Sequence, residues 1–189
     1  YSRKLLLARE QNINHLIIGS SKVYKIKNKK INNMCLVIPE GDLVEINIFL
    51  EFIKNYSSKY NDMDFIFQMP PHLSNLKPKL EKIYKQYPNI KISKPSLDEN
   101  ISKSKYVLYR GSSAVFNCIF NYCLPIHLKN DHFDELPFNM STDQKLEHFQ
   151  ISKINELNKI FKKKINLKNN RNFIRSIFYP FDAKKVNTL

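Results

Sequence analysis

The sequence predicts an α/β fold: a Rossmann-like, mostly parallel sheet with helices on both faces, plus C-terminal helices. Three observations lead there. From His15 to Leu128, short apolar runs of strand length alternate with amphipathic stretches of helix length, the pattern of crossover units in a soluble chain. Met34-Cys-Leu-Val-Ile38 is apolar without a break, as a strand buried on both faces is. The chain holds only three glycines, Gly19, Gly41 and Gly111, and each follows an expected strand, where the loops of such a sheet line a ligand crevice.

The elements follow in order. Residues 4–11 read as a helix and His15-Leu-Ile-Ile18 as a strand, followed by a Lys/Asn-rich loop over 22–33. The Met34–Ile38 strand ends in Pro39-Glu-Gly41. A helix over 43–56 carries apolar residues on most of its surface, Leu43 and Val44 included. Asp64-Phe-Ile-Phe-Gln68 is a strand, and Met69-Pro-Pro-His72 a stiff loop that holds His72 beyond it. A helix over 77–87 turns Leu80, Ile83 and Tyr84 inward, and Asn89-Ile-Lys-Ile-Ser93 alternates as a half-exposed strand. Ser96-Leu-Asp-Glu99 has capping-box spacing for a short helix. Val107–Tyr109 and Leu124–Leu128 are strands on either side of a helix that buries Val115, Phe116, Ile119 and Phe120. A long amphipathic helix is expected over 142–163 and a short one over 172–179. The expected organisation is the end of a linker helix over 1–14, the sheet domain over 15–140 and a helical extension over 141–189.

At 189 residues with 42% hydrophobic content the chain suffices for one well-packed domain. The opening residues read like the interior of a helix, so the chain is expected to be part of a longer protein. No apolar run nears the ~18 residues of a membrane span. The net charge of +14 attracts polyanions in general, but no arginine-rich or aromatic-interleaved segment resembles a nucleic-acid motif, so no nucleic-acid partner is expected. Peripheral contact with an anionic membrane fits the charge. Cys35, Cys118 and Cys123 lie in apolar settings without metal-ligand spacing, as buried thiols of a reducing compartment do. Asp131, His132, Asp134 and Glu135 fit no tight ligand pattern. No metal or other cofactor is expected.

The densest stretch of chemistry is Tyr106-Val-Leu-Tyr-Arg-Gly-Ser-Ser-Ala-Val115. Gly111 permits a sharp turn, Ser112 or Ser113 can cap the following helix, and free amides there suit a phosphate or carboxylate. Arg110 stands one residue before the turn, where its charge is expected to add to the same donor-binding site. Glu40 with Gly41 and His72 end the neighbouring strands, so they are expected to meet the turn along one rim. Glu45 reads as an ordinary first-turn helix acid.

These strings together, Val37-Ile-Pro-Glu-Gly41, Pro71-His72, Leu108-Tyr-Arg-Gly-Ser-Ser-Ala-Val115 and Leu124-Pro-Ile-His127, resemble the C-terminal, donor-binding half of a GT-B glycosyltransferase. The likeness is to bacterial surface-polysaccharide transferases, those using CMP-activated sugars among them. It implies a nucleotide-sugar donor, a glycan or glycolipid acceptor, and work in the cytoplasm at the inner face of the membrane. It gives Gly111, Ser112 and Ser113 the phosphate, Glu40-Gly41 an acidic-Gly element and His72 the nucleotide, although the order here is Pro-His where the family has His-Pro. The resemblance assigns the catalytic base to another domain. A nucleotide-sugar epimerase and a noncatalytic anion-binding module are the alternatives.

Overall fold

The computed structural model describes residues 24–26, 32–93, 96–129, 147–164 and 170. Six strands build one sheet: β1 (Met34–Ile38), β2 (Asp64–Gln68), β3 (Ile90–Ser93), β4 (Tyr106–Tyr109), β5 (Leu124–Leu128) and β6 (Phe149–Ile151). Every neighbouring pair is parallel, in the order β3-β2-β1-β4-β5-β6. This is the Rossmann-like arrangement read from the sequence. The chain builds outward from β1 to β3, then returns to lay β4 on the other side of β1. A crevice opens where the direction reverses, at the carboxyl ends of β1 and β4.

Helices cover both faces because the strands bury both. In the central strand, Cys35 and Val37 face one side while Leu36 and Ile38 face the other, and none of these four exceeds 2% exposure. The first face is packed by α1 (Leu43–Lys59), α2 (Lys77–Tyr84) and α5 (Ile154–Lys162), and the second by α3 (Leu97–Lys103) and α4 (Val115–Phe120). Helix α1 presents Ile46, Phe49, Leu50, Ile53 and Tyr56 to the sheet, positions three or four apart as a single buried stripe requires. The three cysteines are buried and free.

Several local expectations are corrected. Residues 142–163 are not one helix: Phe149–Ile151 pairs in parallel with β5, and a helix begins only at Ile154. Glu156 enforces the break, since its carboxylate accepts the amides of Ser152 (2.8 Å) and Lys153 (3.0 Å) and so closes the strand and opens the helix. The stretch expected to start a helical extension thus supplies the sheet's sixth strand. Leu43 and Val44, in the first turn of α1, are 53% and 64% exposed, and the buried stripe of that helix starts only at Glu45 and Ile46. Ile83 is also exposed. The loop after β2 is a short 3-10 helix, Pro71–Leu76, which a proline in its first turn tolerates because no amide is needed there. Neither Ser96 nor the Ser112-Ser113 pair caps by its side chain; Ala114 is the N-cap of α4. The helix over 4–11, the strand over 15–18, the acidic residues 131–135 and the helix over 172–179 lie outside the described residues.

Phe161 joins α5 to the core. Its ring centroid lies 4.6 Å from that of Tyr106 and 5.6 Å from that of Tyr56. Phe161→Ala is therefore expected to cost about 3 kcal/mol in urea-unfolding free energy. A change below about 0.5 kcal/mol would mean that α5 is no part of the cooperative core.

Candidate functional site

The crevice at the β1/β4 switch is built from loops that end four elements. After β1 the chain turns through Pro39, Glu40 and Gly41, and Gly41 takes φ +116°, a region that side chains with a Cβ avoid. Asp42 then caps α1, accepting the Val44 amide at 2.7 Å. Glu45, one turn into the helix, reaches back: its Oε2 accepts the Glu40 amide at 2.5 Å, while Oε1 lies 4.0 Å from Nε of Arg110. Both Glu45 and Arg110 are buried. Burial pushes the Glu45 carboxyl up, opposed by the Glu40 amide and by the Arg110 guanidinium. Arg110 thus braces the Glu40 turn from beneath, through Glu45, and is absent from the residues lining the crevice.

Two close approaches join the loops. His72, in the first turn of the 3-10 helix, lies against Gly41, with Nε2 3.1 Å from the Gly41 carbonyl. A Cβ on Gly41 would stand 2.5 Å from Cε1 of that ring. The Glu40 carboxylate lies over Gly111 so closely that a Cβ there would coincide with its Oε1. Gly111 is needed for this contact rather than for an unusual φ.

These contacts surround a cleft of about 260 Å³ lined by Ile38, Pro39, Glu40, Gln68, Met69, Pro70, Pro71, His72, Leu97, Ser112 and Ala114. Of the residues picked from the sequence, Glu40, His72 and Ser112 face it, Gly41 and Gly111 form its close contacts, and Ser113 is exposed beside it. Among the described residues, the amides of Ser112, Ser113 and Ala114 donate to no other backbone group. Helix α4 has only 6 residues, so these amides, more than a summed dipole, are what it presents to the cleft. Among the described residues no Lys or Arg lines the cleft, and its titratable lining is Glu40 and His72. Among the described residues no group of three or more His, Cys, Asp or Glu stands where a metal could be held. No helix among them is long and apolar enough to cross a membrane.

No family model matches the chain, and no curated protein sequence does. Solved structures do. TarM matches with a TM-score of 0.55 at 13% identity, over 99% of this chain and 40% of that one. The wall teichoic acid polymerase TagF, soaked with CDPG, matches with a TM-score of 0.53 at 16% identity, over 86% of this chain and 40% of that one. The fold is GT-B-like. A UDP-GlcNAc 2-epimerase of Methanocaldococcus jannaschii, in complex with UDP-GlcNAc and UDP, gives a TM-score of 0.48 at 17% identity, over 79% of this chain and 46% of that one. The chain spans less than half of each of these proteins.

A polar cluster behind this GT-B-like crevice escaped the sequence reading. Tyr109, the last residue of β4, pairs in register with His127 of β5, with ring centroids 5.5 Å apart. Its hydroxyl meets Nε2 of His148 at 2.7 Å. The Tyr109–His127 pairing follows from two adjacent strands, but His148 enters only through β6, which the helical reading of 142–163 concealed. Burial, with His127 nearby, pulls the His148 pKa down from 6.5 to about 4. The folded chain therefore keeps His148 neutral where the unfolded chain protonates it. The stability this group confers is full above pH 6.5 and falls as pH drops toward 4. Between about pH 7.5 and about pH 5 the loss should be roughly 2 kcal/mol. Urea midpoints of His148→Gln should lack that part of the slope, and an unchanged slope would place the titration elsewhere.

Proposed function

We propose that this domain binds the nucleotide-sugar donor of a metal-independent glycosyltransferase. The reaction would build a surface polysaccharide or glycolipid in the cytoplasm, at the inner face of the membrane. One observation carries the reading: at the switch point of a GT-B-like sheet, a carboxylate, an imidazole and a serine-bearing turn converge on one cleft. Ligands of open α/β sheets bind at that point. The likeness to TarM and TagF supports the class through the fold alone.

The residues divide the work by their chemistry. The amides of Ser112, Ser113 and Ala114 and the Ser112 hydroxyl donate to the leaving phosphate as its charge grows, which is where electrostatic stabilisation lowers the barrier. His72 gives its Nε2–H to the Gly41 carbonyl, which leaves Nδ1 as an acceptor for a hydroxyl of the donor. Glu40 accepts from donor hydroxyls. Arg110 contributes by holding the Glu40 turn through Glu45. Among nucleotide sugars, a CMP-sugar, which carries a single phosphate, is the first donor to test.

Thermal-shift screening of CMP, UDP, GDP and their sugars tests the reading. A nucleotide should raise the melting temperature, and Ser112→Ala with Ser113→Ala should abolish the shift while leaving the unliganded melting temperature in place. Ser112→Ala alone should lose more of it than Ser113→Ala, since only Ser112 lines the cleft. Stabilisation by anionic vesicles, reversed by salt and with no response to any nucleotide, would instead favour a noncatalytic anion-binding module, the reading suited to the net charge of +14.

A further inference from the structure

Tyr24 is a large side chain that is both exposed and tied down. The residue is 43% exposed, yet its amide donates to Asn117 Oδ1 (3.2 Å), its carbonyl accepts from Asn121 Nδ2 (2.9 Å) and its hydroxyl donates to Asp98 Oδ1 (2.5 Å). The next turn of the same grip is the Ile26 amide on Asn121 Oδ1 at 2.9 Å. Asn117 and Asn121 are themselves buried, and Asn121 Nδ2 also donates to the Asn117 carbonyl at 2.9 Å. The Asp98 carboxylate and partial burial raise the phenol to about 12, so it stays a donor. An exposed aromatic ring usually keeps its freedom to rotate away. This one has its backbone and its far end both fixed, which removes most of the ordering cost of using its face.

Its place is set by its partners. Asp98 follows Leu97, which lines the cleft, and Asn117 stands three residues after Ala114, which also lines it, so on α4 the two share a helix face. Tyr24 therefore bridges the first turn of α3, at Asp98, and α4, from Asn117 to its C-cap Asn121, next to the cleft-lining Leu97 and Ala114 though not itself in the lining. We infer that Tyr24 is the stacking platform for the planar base of the nucleotide, with the phosphate at the Ser112 turn. This rests on the donor-site reading above. The alternative use of the residue is plain strapping, in which the three hydrogen bonds only fasten residues 24–26 to the helices.

The chain has no tryptophan, so Tyr24→Trp introduces a single reporter at the proposed contact. Titrating the full chain with CMP, UMP and GMP should quench it, and ribose 5-phosphate, which has no base, should leave it unquenched while still raising the melting temperature. In parallel, Tyr24→Ala should weaken the best nucleotide roughly tenfold or more, the range of one base–aromatic stack, with ribose 5-phosphate affinity unchanged. Tyr24→Phe, which keeps the ring and loses only the Asp98 bond, should retain most of the nucleotide affinity. Equal losses for nucleotide and ribose 5-phosphate in Tyr24→Ala, or no quenching at saturating nucleotide, would overturn the inference and leave a strap. If no phosphate compound binds even the unaltered chain, the donor-site reading itself fails and the inference falls with it.

Discussion

β1 and β4 lie side by side, yet the helices that follow them leave to opposite faces of the sheet, and the geometry of the cleft depends on that parting. Two parallel strands with both helices on one side would bring their loops together and fill the gap. Here α1 departs across the first face and α4 across the second, so the Glu40 loop and the Gly111 loop separate just beyond the strands. They touch where Glu40 lies over Gly111, a contact that a single methyl group would block. The brace from Arg110 through Glu45 to the Glu40 amide holds the first loop in that position. It runs between β4 and α1, so it ties together the two elements that the parting would otherwise leave independent.

The buried ion pair is better understood as a positioning device than as a source of stability. Two charges withdrawn from water lose about as much hydration as they recover in mutual attraction, and at 4.0 Å the Arg110–Glu45 approach is loose. What it does is aim the Glu45 carboxylate at one backbone amide. A hydrophobic pair of similar volume would pack equally well in that place, but would leave the Glu40 amide without its acceptor and the turn free to drift from Gly111.

Much of this was legible in the sequence, and the parts that were not share a cause. Of the five strands from Met34 to Leu128, four could be read as short apolar runs bounded by Pro, Gly or polar turn residues, and Ile90–Ser93 by its alternation. The crevice could be located because Gly41 and Gly111 both follow strands. The sixth strand could not: Phe149-Gln-Ile151 is too short to outweigh the helical spacing of Ile154, Leu157 and Phe161, and only pairing with β5 decides its state. The role of Arg110 was missed for a related reason. Being next to the turn in sequence suggested that it faces the ligand, but residues alternate sides along a strand, and the step from Tyr109 to Arg110 crosses from the second face to the first. Tyr24 gave no signal because its partners, Asp98, Asn117 and Asn121, come from two helices far along the chain.

The cleft also holds an apparent conflict whose resolution narrows what can bind there. Amides that favour an anion stand beside the Glu40 carboxylate, and two like charges about 4 Å apart near a protein surface repel by about 4 kcal/mol. A bare phosphate therefore fits poorly. On the proposed reading, a ligand that carries hydroxyls as well as a phosphate removes the difficulty, because the hydroxyls donate to Glu40 and spread its charge while the phosphate takes the amides. Glu40 then acts as a filter, penalising simple anions and admitting sugar phosphates. The +14 charge of the chain works at longer range, drawing anions of every kind toward the surface, and on this reading selection is left to Glu40 and the Ser112 turn.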